Sequence, residues 1–361
     1  MWIQGKEGNE MTTRKKVVLL GFFGRGNAGD EAFLHVQYQL FSKDFDICIV
    51  IEQKGAYPGF STWDPYNQCE IWSFDDVNRL YSKDIAFLHI GGGSLPFAYA
   101  GHFILSAFDY GIPVLMSGID ASIKPKSADD DIKKVIYSRL AFMSVRTDKS
   151  YSNLSKHSGN LNIHHGADWA LGLSRADTGI SDVDIVVTTR GFSEPSSIHQ
   201  TNRSDFEHFL TSNGRRITWL PFAPDDRRFL LETGVDDQDI LNLWHDPRQV
   251  LDVICKSKLT VSIGRLHTLI FASMSNIPCV AIDPFIVHDG KHIPNRKNMF
   301  FCKEHGIPFY NSIRNFIDEF NLEDIGANNL PGGFTQGYLD RFGSMIERLS
   351  SYGQPLVTID D

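Results

Sequence analysis

Arg265 and His267 follow Gly264 directly, between a β-branched apolar run at 259–263 and an apolar stretch of helical spacing. A guanidinium can grip a carboxylate or phosphate bidentately, and an imidazole beside it can move a proton near neutral pH. A helix start already favours an anion through its free backbone N–H groups and dipole. The same residues have a second reading, an arginine paired with a core carboxylate and a histidine satisfied by a carbonyl. Arg190 ends another apolar run, at 184–189.

These residues need a scaffold, and the hydrophobic pattern supplies one. Strand 259–263, the Gly264 turn, helix 265–275 and strand 277–282 make one β-α-β unit. Upstream, strands are expected at 17–23, 47–52, 85–90, 111–116 and 142–145, with helices near 30–41, 103–110, 132–140 and 148–154. A polar stretch at 172–182 reads as a linker, and 184–189, 206–210, 216–221, 250–257 and 307–310 continue the alternation. A last helix, 336–350, follows a Pro331-Gly332-Gly333 break. Strands alternating with helices imply parallel sheets covered on both faces. The expected fold is α/β, two Rossmann-like domains at 14–175 and 181–330 facing across a cleft, with 331–352 as a C-terminal helix. Ligands of such sheets gather at the C-terminal ends of the strands.

Composition agrees with this size and class. The chain has 361 residues, 42% apolar and 22% charged, enough for two globular cores. A net charge of −9 argues against nucleic acid as the main partner. Cys48, Cys69, Cys255, Cys279 and Cys302 form no C-x-x-C pair and read as reduced thiols of a cytoplasmic protein. No run is long and apolar enough to span a bilayer, and the polar start, 1–16, lacks a signal-peptide core. Met11 is an alternative initiator. Oligomeric state and attachment to the inner membrane face stay open.

Gly24-Arg25-Gly26-Asn27-Ala28-Gly29 matches G-x-G-x-x-G between a strand and a helix, with Glu52 ending the next strand. Two features oppose a dinucleotide. Asp30 and Glu31 put carboxylates where the pyrophosphate would lie, and Glu52 stands farther on than the usual ~20 residues. Asn27, Asp30 and Glu31 instead read as a shaped loop facing the cleft, with helix-start carboxylates as the alternative. Gly92 and Gly93 either bring backbone N–H groups to a ligand or make a tight turn with positive φ. Asp148 is the expected cap of its helix, and His89 is a candidate base or a satisfied core histidine. Adjacent His164 and His165 point to opposite faces of a strand, and His288 and His292 around Asp289 match no metal pattern, so no metal is assigned. The rings in 60–66 and 97–102 either present a sugar platform or cover the core.

Four blocks carry a family resemblance: 21–31 (GFFGRGNAGDE), 91–95 (GGGSL), 145–154 (VRTDKSYSNL) and 264–272 (GRLHTLIFA), with Gly166-Ala167-Asp168 after the third. In these the chain resembles the polysaccharide pyruvyl transferases, which build cyclic pyruvate ketals on sugars from phosphoenolpyruvate. The resemblance implies a GT-B-like fold, with the C-terminal helix packed back on the first domain. It places a phosphoenolpyruvate motif on Arg265, Leu266 and His267, opened by Gly264, and a further donor arginine on Arg190. One departure stands out: the third block usually reads Arg-Asp, whereas Thr147 follows Arg146 here. The implied partners are phosphoenolpyruvate and a lipid-linked or nucleotide-linked saccharide acceptor for a cell-surface polymer, and no cofactor. His267 is then the general acid or the phosphate's stabiliser, with Arg190 and Arg265 balancing charge on the departing phosphate. Two other readings remain: a GT-B glycosyltransferase using a nucleotide sugar, and a non-catalytic glycan-binding member of the family.

Overall fold

Two parallel sheets stand where the hydrophobic pattern alternates. The computed structural model describes residues 14–92, 97–121, 128–157, 162–191, 197–283, 286–288, 291–293, 296–324 and 333–353. The first sheet is built from β1 (Lys16–Leu20), β2 (Asp46–Ile51), β3 (Glu70–Ser73), β4 (Ile85–Gly91), β5 (Val114–Ile119), β6 (Phe142–Val145) and β7 (Ile163–His165). Its helices are α1 (Ala28–Phe41), α2 (Phe97–Asp109), α3 (Ala128–Arg139) and α4 (Asp148–His157). The second sheet holds β8 (Val183–Thr189), β9 (Ile217–Trp219), β10 (Ser257–Ile263), β11 (Cys279–Ile282) and, after the hairpin β12 (Ile286–His288) and β13 (Lys291–Ile293), β14 (Phe309–Tyr310). Around it lie α5 (Ser197–Thr211), α6 (Pro224–Glu232), α7 (Pro247–Cys255), α8 (Leu266–Met274), α9 (Arg296–His305) and α10 (Ile313–Glu319), and α11 (Gln336–Gly353) closes the chain.

The strand orders are β3-β2-β1-β4-β5-β6-β7 and β14-β11-β10-β8-β9. Every pair within both sheets is parallel. Helices on both faces keep the central strands dry, so β1 reads as an apolar run and β10, though Thr260 and Ser262 interrupt its apolar residues, is buried continuously from Leu259 to Ile263. The order reverses between β1 and β4 in one sheet and between β8 and β10 in the other. At those switch points neighbouring connections leave to opposite faces and open a crevice. The loops after β1 and β4, and those after β8 and β10, are the ones carrying the sequence motifs.

The sheets are joined by α1 packing on α7 and by the turn Trp169–Gly172 packing on α8. One apolar cluster runs through the junction, from Phe33 and Trp169 to Phe222 and Phe271. A backbone bond from Ala28 N to Phe222 O (2.8 Å) crosses it. The α11 helix lies against α1 and the Trp169–Gly172 turn, with Tyr338, Met345 and Leu349 buried.

Some bounds move, for local reasons. β1 stops at Leu20 because the chain turns at Gly21, where a Cβ would lie 2.5 Å from the Gly91 carbonyl oxygen. α1 starts at Ala28, with the Asn27 side chain capping Gly29 N, and α7 starts at Pro247 under an Asp246 cap. The pattern did not announce β3, whose first residue is an exposed glutamate, or α9, whose polar residues hide a narrow buried stripe.

Candidate active site

The two switch points face one another across a cavity of ≈ 380 Å³. From the first sheet come Phe22, Asn27 and Asp30, and from the second Arg190 and Gly264-Arg265-Leu266-His267. The α9 helix adds Lys297 and Asn298. This is the meeting place of strand C-terminal ends in which open α/β sheets hold ligands.

On the second sheet, Gly264 turns with φ +78°, and Arg265 takes the position just before α8 rather than its first turn. The Arg265 guanidinium pairs with Asp226, which is fully buried and also accepts from Gly191 N (2.7 Å) and Phe222 N (3.1 Å). Both sequence readings of Arg265 therefore hold together, since it is tied to a core carboxylate and lines the cavity. Arg190 sits on the neighbouring strand end, its N–H bonded to Ile263 O at 2.9 Å. Burial and the adjacent Arg265 both oppose its charge. Two guanidiniums held side by side against their repulsion make a place for an anion.

His267 reaches across the junction to the first sheet. Its ring meets Phe33 edge-on at 5.0 Å and covers Gly29 so closely that a Cβ there would fall onto Nδ1. Nε2 lies 3.9 Å from Asp168 Oδ2 and has no hydrogen bond among the described residues. Burial, then Arg146, Lys297 and Arg265, hold the imidazole well below its ordinary pKa, against Asp120. The Asn298 amide, 1% exposed, likewise has neither Nδ2 nor Oδ1 bonded among the described residues, and Arg265 Nε is in the same state. Buried polar atoms without partners are costly, and three such side chains on one cavity wall are a signature of a polar ligand.

Behind His267 stands an ionic group that sequence reasoning passed over. Arg146, 2% exposed, gives Nε (3.1 Å) and Nη2 (2.7 Å) to Asp120 Oδ2, and Nη1 (2.5 Å) to Asp168 Oδ2. Lys297 Nζ joins Asp120 Oδ2 at 3.1 Å. Burial raises the Asp120 carboxyl, but Arg146 and Lys297 outweigh it and hold it well below the usual carboxylate range. For Asp168 burial wins and the pKa is raised. Burial and Arg146 lower Lys297, partly offset by Asp120. Lys297, Asn298, Asp120 and Asp226 carried no local signal, because only the tertiary fold brings the first two to the cavity and sets the two carboxylates against its cations. Arg146 and Asp168 did lie in quoted blocks.

Several expectations are corrected. Glu31 does not face the cleft: it is 2% exposed and turned under the glycine loop, accepting from Gly26 N (3.1 Å) and Tyr66 Oη (2.5 Å). Its carboxylate thus fills the spot a pyrophosphate would need, while Glu52 pairs with Arg25. Gly92 does not line the cavity either. With φ +120° it packs under Phe33 and Asp30, which is the tight-turn alternative. Gly93 lies outside the described residues. Thr147, not Asp148, caps α4, its Oγ1 accepting from Ser150 N (3.2 Å) and donating to Asp120 Oδ1 (3.1 Å). Asp148 instead pairs with His165 (2.9 Å) and with Arg341 of α11 (3.1 Å).

His89 is a core residue. It bridges Gln37 Oε1 (3.0 Å) and Ser117 Oγ (2.7 Å), and burial pushes its pKa down to about 3. Phe60 and Trp63 pack against the core and the Tyr66 hydroxyl is spent on Glu31, so this loop is cover rather than platform. Of the other ring stretch, the side chains of Phe97 and Tyr99 lie outside the described part. Among the described residues no group of three His, Cys, Asp or Glu is placed to hold a metal ion. Within the same residues no helix is long and apolar enough to cross a membrane.

Two facing parallel α/β sheets with the site between them define a GT-B-like architecture, and solved structures of that kind superimpose on it. UDP-GlcNAc 2-epimerase of Methanocaldococcus jannaschii, in complex with UDP-GlcNAc and UDP, matches with a TM-score of 0.59 at 13% identity over 94% of this chain and 99% of that one. UGT71G1 of Medicago truncatula, complexed with UDP-glucose, gives 0.54 at 10% identity over 93% and 98%. UGT2 of Phytolacca americana, complexed with UDP-2fluoro-glucose and pterostilbene, gives 0.51 at 9% over 93% and 94%. The chain belongs to the polysaccharide pyruvyl transferase family, whose profile matches residues 27–284. No curated protein matches it in sequence.

Proposed function

We propose that this protein transfers the pyruvyl group of phosphoenolpyruvate to two hydroxyls of a saccharide, closing a cyclic ketal and releasing phosphate. The observation that carries this reading is the convergence of Arg190, Arg265 and Lys297 with His267 on one cavity between the switch points. Phosphoenolpyruvate bears a carboxylate and a phosphate on one enol carbon, and three cations match that charge. The donor lies on the side of 181–330, and the acceptor approaches from 14–175. A lipid-linked acceptor would put the reaction at the cytoplasmic face of the membrane.

The donor prepares its own acid. Burial and then the site's cations depress the His267 pKa, and a bound trianion opposes the cations' part, so the imidazole takes up a proton as the cavity fills. His267 then protonates the CH₂ carbon, which leaves positive charge on the enol carbon. A sugar hydroxyl oxygen bonds to that carbon and loses its proton. The C–O bond to phosphorus breaks with its electron pair on phosphate, where Arg190, Arg265 and Lys297 balance the charge. A second hydroxyl adds to the same carbon and loses its proton. One of the two released protons restores His267 and the other ends on phosphate.

The nucleotide-bound neighbours favour a second reading, a glycosyltransferase taking a nucleotide sugar in the same cleft. A thermal-shift panel separates them: phosphoenolpyruvate raises Tm under the first reading, UDP or GDP under the second. Stabilisation by a nucleotide alone would overturn the pyruvyl reading.

A further inference from the structure

A second cavity, ≈ 300 Å³, opens beside the first, lined by Asp120, Thr147, Lys149, Ser150, Asn153, Lys297 and Phe300 among others. Lys297 lines both cavities, so they meet at its side chain. Their chemistry differs. The first gathers Arg190, Arg265 and Lys297, with one carboxylate, Asp30, on its wall. The second holds one ion-paired carboxylate, hydroxyl and amide side chains, and the 37% exposed Phe300 ring with Lys149 Nζ 4.5 Å from its centroid. An apolar ring among a few polar groups suits a pyranose, which has C–H faces and a rim of hydroxyls.

We infer that this second cavity is the subsite for the terminal pyranose of the acceptor, and that α9 sets which sugar it takes. The inference rests on the donor reading of the first cavity. A reacting hydroxyl must come within about 3–3.5 Å of the enol carbon, so the acceptor needs a cavity next to the donor's, and this one shares the Lys297 wall with it. At the seam, Asp120 Oδ2 is taken by Arg146 and Lys297, whereas Oδ1 accepts, among the described residues, one hydrogen bond, from Thr147. A carboxylate oxygen has a second lone pair, so Oδ1 can hold an acceptor hydroxyl beside Lys297. Thr147, the departure from the usual Arg-Asp, therefore belongs to the wall of this subsite. The family match ends at 284, while Lys297 and Phe300 stand on α9 beyond it. The Phe300 ring is the part of that wall on which a pyranose face would be read.

Saturation-transfer NMR on the full chain with phosphoenolpyruvate present tests this, using the methyl pyranosides of glucose, galactose and N-acetylmannosamine as probes. At least one should receive saturation, and Phe300→Ala and Asn153→Ala should each weaken it about tenfold. Phosphoenolpyruvate affinity, read by calorimetry on the same variants, should stay within about twofold, since neither residue lines the first cavity. Unchanged transfer in both variants, or no transfer from any probe to wild type, overturns the subsite. If wild type binds a pyranoside through Phe300 but not phosphoenolpyruvate, the sugar site stands and the donor reading falls.

Discussion

His267 Nε2 and Asp168 Oδ2 lie 3.9 Å apart across the junction of the two sheets, and Arg146 holds the same carboxylate oxygen from the other side at 2.5 Å. The gap exceeds a hydrogen bond but leaves the carboxylate close enough to favour an imidazolium. On the proposed mechanism, a proton taken up with the donor would have this carboxylate as its counter-charge. Asp168 is held in turn by the N–H of Ala170 at 2.9 Å, and its own N–H donates to Tyr338 Oη of α11 at 3.1 Å. The last helix of the chain therefore steadies a residue behind the site.

Asp168→Asn should move the alkaline limb of the kcat–pH profile to lower pH, because the imidazolium loses a carboxylate 3.9 Å away. The pH profile of turnover in a coupled phosphate-release assay reads this. A variant slower at every pH with an unmoved limb would make Asp168 a structural residue only.

Gly29→Ala should remove activity and cost about 2 kcal/mol of stability, since the new Cβ would overlap His267 Nδ1. Pairing it with His267→Ala should restore stability without restoring activity. Urea melts of the two single variants and the double variant measure the coupling. Additive losses would mean that the two residues do not share that space.

Glu31 titrates in an unusual range, and stability should show it. Burial, opposed by the Tyr66 hydrogen bond and helped by Asp30, raises its pKa from 4.5 to about 7. Between those values the folded chain keeps a proton that the unfolded chain has released, so stability falls as pH rises through this window and levels off above it. Glu31→Gln should flatten the wild-type slope by up to about 1 kcal/mol per pH unit, measured by urea unfolding from pH 4.5 to 8. Identical slopes would remove Glu31 as the cause.

Sequence alone reached the fold because the central strands are buried on both faces and most of the helices between them carry apolar residues at helical spacing, so the alternation is written in the hydrophobic pattern. The second-sheet half of the site was legible for a related reason. Arg190, Gly264, Arg265 and His267 lie next to strand ends, where position predicts exposure to a cleft. Glu31 misled because its place in a helix's first turn does not say which way its side chain faces, and here Tyr66, 35 residues later, draws it inward. Lys297 was invisible because it reaches Asp120 over 177 residues of chain, from a helix with a weak apolar stripe.

Lys297→Met should weaken phosphoenolpyruvate binding about tenfold to a hundredfold, the scale of one charged hydrogen bond. The loss should shrink as salt rises, and calorimetry at two ionic strengths checks both. Affinity unchanged from wild type would remove Lys297 from the donor site.

Which arginine to remove is decided by what each leaves behind. Arg265→Ala strands the fully buried Asp226 carboxylate, so a loss of binding there could follow from a disturbed fold. Arg190 makes no ion pair among the described residues, though Asp226 and Asp283 favour its charge from farther off, so its removal breaks no ion pair and disturbs the fold less. The most direct test is calorimetric titration of wild type and Arg190→Ala with phosphoenolpyruvate. Saturable binding by wild type, weakened at least about tenfold in Arg190→Ala at unchanged Tm, is the predicted result. No binding by wild type at millimolar donor, or equal binding by both proteins, would contradict the assignment of this cavity to the donor.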